Sequence, residues 1–156
     1  MNWSDLNLMP AMPEIVLLAL LGVVLLADLW ICDKNRYLTH LMSLGTVIIV
    51  AATQLAVWEQ GSVDAFHGMY IADGMSRLAK LVLYALTFGL FIYSKPYNQD
   101  RQIFKGEFYT LSLFALLGMS VMVSAAHFLT AYIGLELLSL SLYAMIALRR
   151  DSGRSA

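Results

Sequence analysis

The chain has 156 residues, 60% of them hydrophobic and only 13% charged, with a mean hydropathy of +0.69. Soluble domains are nearer half apolar and a quarter charged, so this composition describes an integral membrane protein and points away from nucleic-acid partners. The net charge of −1 identifies no partner, because the charges are sorted by position along the chain. A single cysteine, Cys32, excludes an internal disulfide, and His40, His67 and His127 show no metal-ligand spacing.

Five apolar segments follow in order: about Pro13–Ile31, Leu41–Trp58, Gly74–Tyr93, Phe108–Ala126 and Phe128–Leu148. Each is long enough to cross ~30 Å of hydrocarbon as a helix, and their lack of alternation argues against barrel strands. The expected fold is therefore all-α: a polytopic membrane protein in which residues 1–156 form one membrane domain of five transmembrane helices. No Lys or Arg precedes the first apolar run, so the basic start of a signal peptide is missing and the first segment is expected to be retained. Glu14 opens that segment just after Pro13, where a carboxylate suits a helix N-terminus at the interface, and reads as structural. Asp28 lies near the segment's other end and is expected to pair with Lys34 or Arg36. Trp3, Trp30, Trp58, Tyr70, Tyr93 and Tyr97 fall near predicted boundaries and read as an interfacial aromatic belt.

The basic residues set the orientation. Lys34 and Arg36 follow the first segment, Lys95, Arg101 and Lys105 follow the third, and Arg149, Arg150 and Arg154 follow the fifth. The N-terminus, the Glu59–Asp73 connection and the tight turn around Ser124–His127 carry none. Eight of the ten basic residues thus fall on one side, which the positive-inside rule makes cytoplasmic, with the N-terminus outside and the C-terminus inside. The remaining two, Arg77 and Lys80, sit in the first turns of the third segment. Arg77 is expected to snorkel toward the outer headgroups. Lys80 lies deeper, ~10 Å from the outer end of its helix.

Glu136 interrupts the fifth segment at roughly 12 Å from one end and 18 Å from the other. A carboxylate at that depth costs about 2.5–3.5 kcal/mol on insertion scales and by default marks an ion or proton pathway. Tyr132, Ser139 and Tyr143 share its helix face and form a polar stripe, with Leu135, Leu138 and Leu142 opposite. Gly134, Ser139, Ser141 and Ala144 are small, which suits close approach by another helix. Lys80 is at a similar depth on a segment running the same way, so a Lys80–Glu136 contact is geometrically allowed. A protonated Glu136 that only joins helices by hydrogen bonds is the other reading of the same residue.

The run Gly134-Leu-Glu-Leu-Leu-Ser-Leu-Ser-Leu-Tyr143 is a specific signal. Together with Glu107-Phe-Tyr-Thr-Leu, Leu117-Gly-Met-Ser and Ala72-Asp-Gly-Met-Ser-Arg-Leu-Ala-Lys80, it resembles the antiporter-like membrane subunits of proton-pumping NADH:quinone oxidoreductase, respiratory complex I, and within them subunit N. The resemblance covers essentially the whole chain, which looks like the N-terminal third of a longer subunit. It implies a bacterial inner-membrane location, partner subunits in a membrane arm, and indirect contact with the quinone pool. NADH, FMN, iron–sulfur clusters and quinone would belong to the complex, with no cofactor bound by this chain and no redox chemistry in it. In such subunits the glutamate that Glu136 matches faces a lysine on a later, broken helix, and that pair gates proton transfer. A related cation/proton antiporter or membrane-bound hydrogenase subunit shares the motif, and a non-transporting helical scaffold stays open beside both.

Overall fold

The computed structural model describes residues 8–30, 36–58, 63–100 and 106–148, and for Arg36 and residues 95–100 the backbone only. Cys32, Lys34, Trp3, Arg101, Lys105, Arg149, Arg150 and Arg154 lie outside the described residues, as do the side chains of Arg36, Lys95 and Tyr97. After a single 3-10 turn at Met9–Ala11, the chain forms α1 (Met12–Trp30), α2 (Arg36–Ala56), a hairpin of β1 (Val63–Ala65) and β2 (Tyr70–Ala72), then α3 (Gly74–Asp100), α4 (Gly106–Val123) and α5 (Phe128–Ala147). All five expected helices are present, each long and apolar enough to cross a membrane. Their ends differ from the sequence reading most at α2, which starts at Arg36 rather than Leu41, and at α3, which runs on past Tyr93 to Asp100.

The core lies among α1 to α4. Leu17, Leu21 and Val24 of α1 meet Val47 and Val50 of α2, Tyr84 and Phe91 of α3, and Tyr109, Leu113 and Leu116 of α4. Lipid is as apolar as these side chains, so their association rests on close packing rather than on escape from water. Phe91 and Phe108 both meet the Tyr109 ring edge to face, at centroid distances of 5.4 and 5.5 Å, and His40 does the same at 5.2 Å. Six helix hydroxyls are satisfied locally. Ser43, Thr46, Thr87, Ser112, Ser120 and Ser141 each donate to the carbonyl four residues back, so they add polarity to helix interiors without leaving an unpaired group.

Helix α5 stands outside that core and packs on α4. Its buried residues are Gly134 and Ser141. The crossing is backbone on backbone: a Cβ on Gly118 would lie 2.7 Å from the Gly134 carbonyl oxygen, and a Cβ on Gly134 2.8 Å from that of Gly118. Of the four small residues that the sequence singles out on α5, Gly134 and Ser141 make this contact. Ala144 is exposed and Ser139 lies on the other side of the helix, because residues 134 and 141 are two turns apart on one face and 139 is roughly opposite.

The connection between α2 and α3 is a folded unit rather than a simple polar link. Strands β1 and β2 pair antiparallel, Val63 with Ala72, Asp64 with Ile71 and Ala65 with Tyr70. Phe66, His67 and Gly68 all take positive φ at the hairpin's tip, with values of 52°, 57° and 81°. The hairpin is then sewn to the α4–α5 turn, where Ile71 N–H donates to Ser124 O at 2.9 Å and Ala126 N–H donates to Met69 O at 3.0 Å. Asp73 and Ser76 start α3 as a reciprocal cap: Ser76 N–H donates to Asp73 Oδ1 at 2.7 Å and Asp73 N–H to Ser76 Oγ at 3.0 Å. These bonds hold the Asp73 carboxyl below its ordinary range, the Ser76 amide contributing most.

Candidate functional site

Two intramembrane carboxylates stand in opposite circumstances. At the hairpin end, Glu14 in the first turn of α1 is 7% exposed, and Lys80 on α3 is 1% exposed. Lys80 Nζ lies 2.5 Å from Glu14 Oε1 and donates to the Tyr70 hydroxyl at 2.7 Å. Tyr70, 4% exposed on β2, donates in turn to Glu14 Oε2 at 2.9 Å and faces the Pro10 carbonyl at 3.1 Å. The ammonium also sits 4.9 Å from the centre of the Tyr70 ring. Burial first, and the Glu14 carboxylate second, push the Tyr70 hydroxyl well above its ordinary value, which keeps it a donor.

This cluster corrects three expectations. Lys80 is paired with Glu14, not with Glu136. Similar depth is necessary for a contact but not sufficient, because α3 packs on α2 and α4, with Lys80 reaching across to Glu14 beside the hairpin, while α5 packs on α4. Glu14 is one half of a buried ion pair rather than only an interfacial helix start. Tyr70 leaves the aromatic belt for the interior, whereas Trp30 and Tyr93 are exposed as a belt requires. Arg77 does not snorkel either: it is buried, donating to Trp58 O at 2.8 Å and Ala72 O at 3.3 Å, and so anchors the hairpin to the end of α2. At the opposite end Asp28 accepts from Thr39 Oγ1 at 2.8 Å, and its carboxylate lies where a Cβ on Gly106, the first residue of α4, would have to go. The expected partners Lys34 and Arg36 fall outside the described side chains.

Glu136 sits midway along α5, partly exposed, with no ion pair to a described residue. Its stripe is where the sequence puts it. Tyr132 is 50% and Tyr143 67% exposed, the Tyr132 side chain lies within hydrogen-bonding reach of Glu136, and Ser139 Oγ donates to the Glu136 carbonyl at 3.1 Å. Gly134 and Ser141 face α4, so the stripe points away from the rest of the bundle. Among the described residues no group of three or more His, Cys, Asp or Glu could hold a metal ion.

A cavity of about 410 Å³ lies between the hairpin end and α5, and Glu136 is not among the residues that line it. It is lined on one side by Glu14, Tyr70 and Phe66, on the other by Thr130 and Leu137 of α5, with Leu117 of α4 between.

This geometry belongs to a known pattern of sequence. Subunit N of the NADH-quinone oxidoreductase from Neisseria gonorrhoeae is 76% identical over 156 residues, all of this chain and 32% of that protein. The chain is similar to subunit N along its whole length. The subunit N proteins of Laribacter hongkongensis and Thioalkalivibrio sulfidiphilus are 53% identical over 152 residues and 45% over 156. The chain thus spans about a third of the length of the subunit N relatives it matches. No family model matches it. Among solved structures, a chain of respiratory complex I from Thermus thermophilus with bound aureothin superposes with a TM-score of 0.68 and 23% identity over 92% of this chain and 30% of its own, a likeness of fold.

Glu14 and Tyr70 were the functional residues least visible in the sequence. The signal that could have found Glu14 is its place two residues inside an apolar span that lacks a basic neighbour, near the same end of the bundle as the buried lysine of the third segment.

Proposed function

We propose that this chain is the proton-handling start of a membrane-arm subunit N, acting within a complex that couples electron transfer from NADH to quinone with proton translocation. The observation that carries the reading is the match of this whole chain to about a third of a subunit N, at 76% identity, with Glu136 in the middle of the most outlying helix and its polar face turned away from its own bundle. A carboxylate in that position is ready to meet a cation on helices outside this sequence, and an approaching ammonium lowers its proton affinity while a receding one raises it. Glu136 is then the proton-relay acid, with Tyr132, Ser139 and Tyr143 ordering the hydrogen bonds around it.

In this reading the hairpin end faces outside and the basic connections face the cytoplasm, in the inner membrane of a bacterium. Further helices of the same subunit and neighbouring subunits cover α5. The NADH, FMN, iron–sulfur and quinone chemistry belongs to the complex, and no residue of this chain is assigned to it.

Glu136→Gln in the intact complex tests the proposal, since it keeps shape and hydrogen-bonding capacity while removing the titrating group. Proton pumping and coupled turnover in membrane vesicles are expected to fall. Pumping at the unsubstituted rate would refute the relay role.

A further inference from the structure

We propose that Glu14, Tyr70 and Lys80 form a second proton-exchange site, distinct from Glu136, that loads and releases one proton through the cavity between α1, the hairpin and α5. The proposal rests on the reading of the chain as part of a proton-translocating machine and adds to it a site of its own.

The geometry supplies the parts. The two carboxylate oxygens of Glu14 are in different surroundings: Oε1 lies against the Lys80 ammonium, while Oε2 is held by the Tyr70 hydroxyl. Glu14 and Tyr70 line the cavity and Lys80 does not. The rest of the cavity wall is almost wholly apolar, so a proton reaches the pair from this side only on water that enters transiently, and it meets the carboxylate and its tyrosine before it meets the ammonium. On loading, an O–H bond forms on Glu14 and the proton leaves a hydronium, which becomes water. Tyr70 keeps its own proton and turns its bond to the Pro10 carbonyl, already 3.1 Å away. The pair passes from net neutral to a single positive charge. Lys80 then stands without its counter-ion in a nearly closed site, which favours release of the proton and return of the ion pair.

The other ionisable groups that act on the pair are few. Tyr84 on α3 feels the Glu14 charge, while Arg77 and Asp73 act on Lys80 from the hairpin end. From the α4–α5 turn the neutral hydroxyl of Ser124 meets Tyr70, and α5 presents neutral Thr130 to the cavity. A buried ion pair is a poor device for stability alone, since a well-packed apolar pair of the same volume does as well or better. A pair with one face on a cavity is a site that can titrate.

The test uses the intact complex in membrane vesicles, comparing protons pumped per NADH oxidised, and its pH profile, for E14Q, E14D, the neutral double variant E14Q/K80M and E136Q. E14Q is expected to lower pumping several-fold, and E14D to restore most of it with a displaced pH profile, because a shorter carboxylate still titrates. If E14Q fails to assemble because Lys80 is left bare, the double variant decides. An assembled E14Q/K80M complex that pumps poorly supports the site. Pumping at the unsubstituted ratio and pH profile in E14Q or in the double variant overturns it, and so does loss of assembly in all three variants carrying a substitution at Glu14. E136Q separates the two claims. Lowered pumping in E136Q with normal pumping in E14Q sinks this site alone, normal pumping in E136Q with lowered pumping in E14Q sinks the Glu136 relay alone, and an unsubstituted complex that pumps no protons sinks the function on which both rest.

Discussion

The hairpin end and the α5 stripe each place a carboxylate inside the membrane, and they solve the same electrostatic problem in opposite ways. Glu14 is given its cation, its hydroxyl donor and a lid within this chain, drawn from α1, α3 and β2. Glu136 is given a helix, a neighbouring tyrosine and an open side. A closed pair depends on both members for its stability. An open acid depends on whatever approaches it, which is what a switch requires. The two regions thus differ in where the carboxylate's partner is built: within this chain for Glu14, and outside the described bundle for Glu136.

Lys80→Met is the sharpest way to break that contrast. It leaves the Glu14 carboxylate buried without its cation, so a loss of about 3–5 kcal/mol is expected, read as thermal unfolding of the assembled complex in detergent. Glu14→Gln with Lys80→Met should recover much of it. Strict additivity of the two single changes would mean that the residues do not act as a pair. Gly134→Ala comes next, at about 1–3 kcal/mol, because the added methyl meets the Gly118 carbonyl and the Met122 backbone rather than a side chain that can swing aside. Gly22→Ala, with open space around its Cβ, serves as the control in the same assay and should lose nothing.

Removing the Asp73 cap by Asp73→Ala should cost about 1 kcal/mol, seen as faster hydrogen exchange in the first turn of α3. The sign of its pH dependence is fixed. The folded carboxyl titrates below its unfolded value, so its contribution is complete above the ordinary carboxylate range and fades as pH falls through the lowered folded value. Protection in that turn, corrected for the base catalysis of amide exchange itself, that fell as pH rose would contradict the cap. Smallest of all, Glu136→Gln should shift thermal unfolding by no more than about 0.5 kcal/mol, as expected of a partly exposed group without a built-in partner. A loss as large as that of Lys80→Met would move Glu136 into the structural class and erase the contrast.

What could be read in advance follows from the range of each interaction. Segment length and helical period are local properties of the chain, and all five helices came through. The motif around Gly134 carried the α4 crossing as well, since a glycine among leucines marks a place where backbone can meet backbone. The Glu14–Lys80 pair spans three helices and two connections, and no local pattern says which of two distant carboxylates a lysine will face. The hairpin escaped because three-residue strands such as Val63–Ala65 are too short to show alternation. Tyr70 was read as a belt residue since an aromatic near a boundary is consistent with either side of it.

The glycine crossing of α4 and α5 has a mechanical consequence. With main chains touching at Gly118 and Gly134 there is no layer of side chains between the two helices to yield by changing rotamer. A push on the Glu136 face therefore cannot be absorbed at the seam, and α5 must carry α4 with it. The other end of α4 is the Gly106 turn seated on Asp28, and its near end is sewn to the hairpin. Displacement at one outlying helix would be felt as a tilt across the whole bundle, with the α4–α5 seam as a rigid beam.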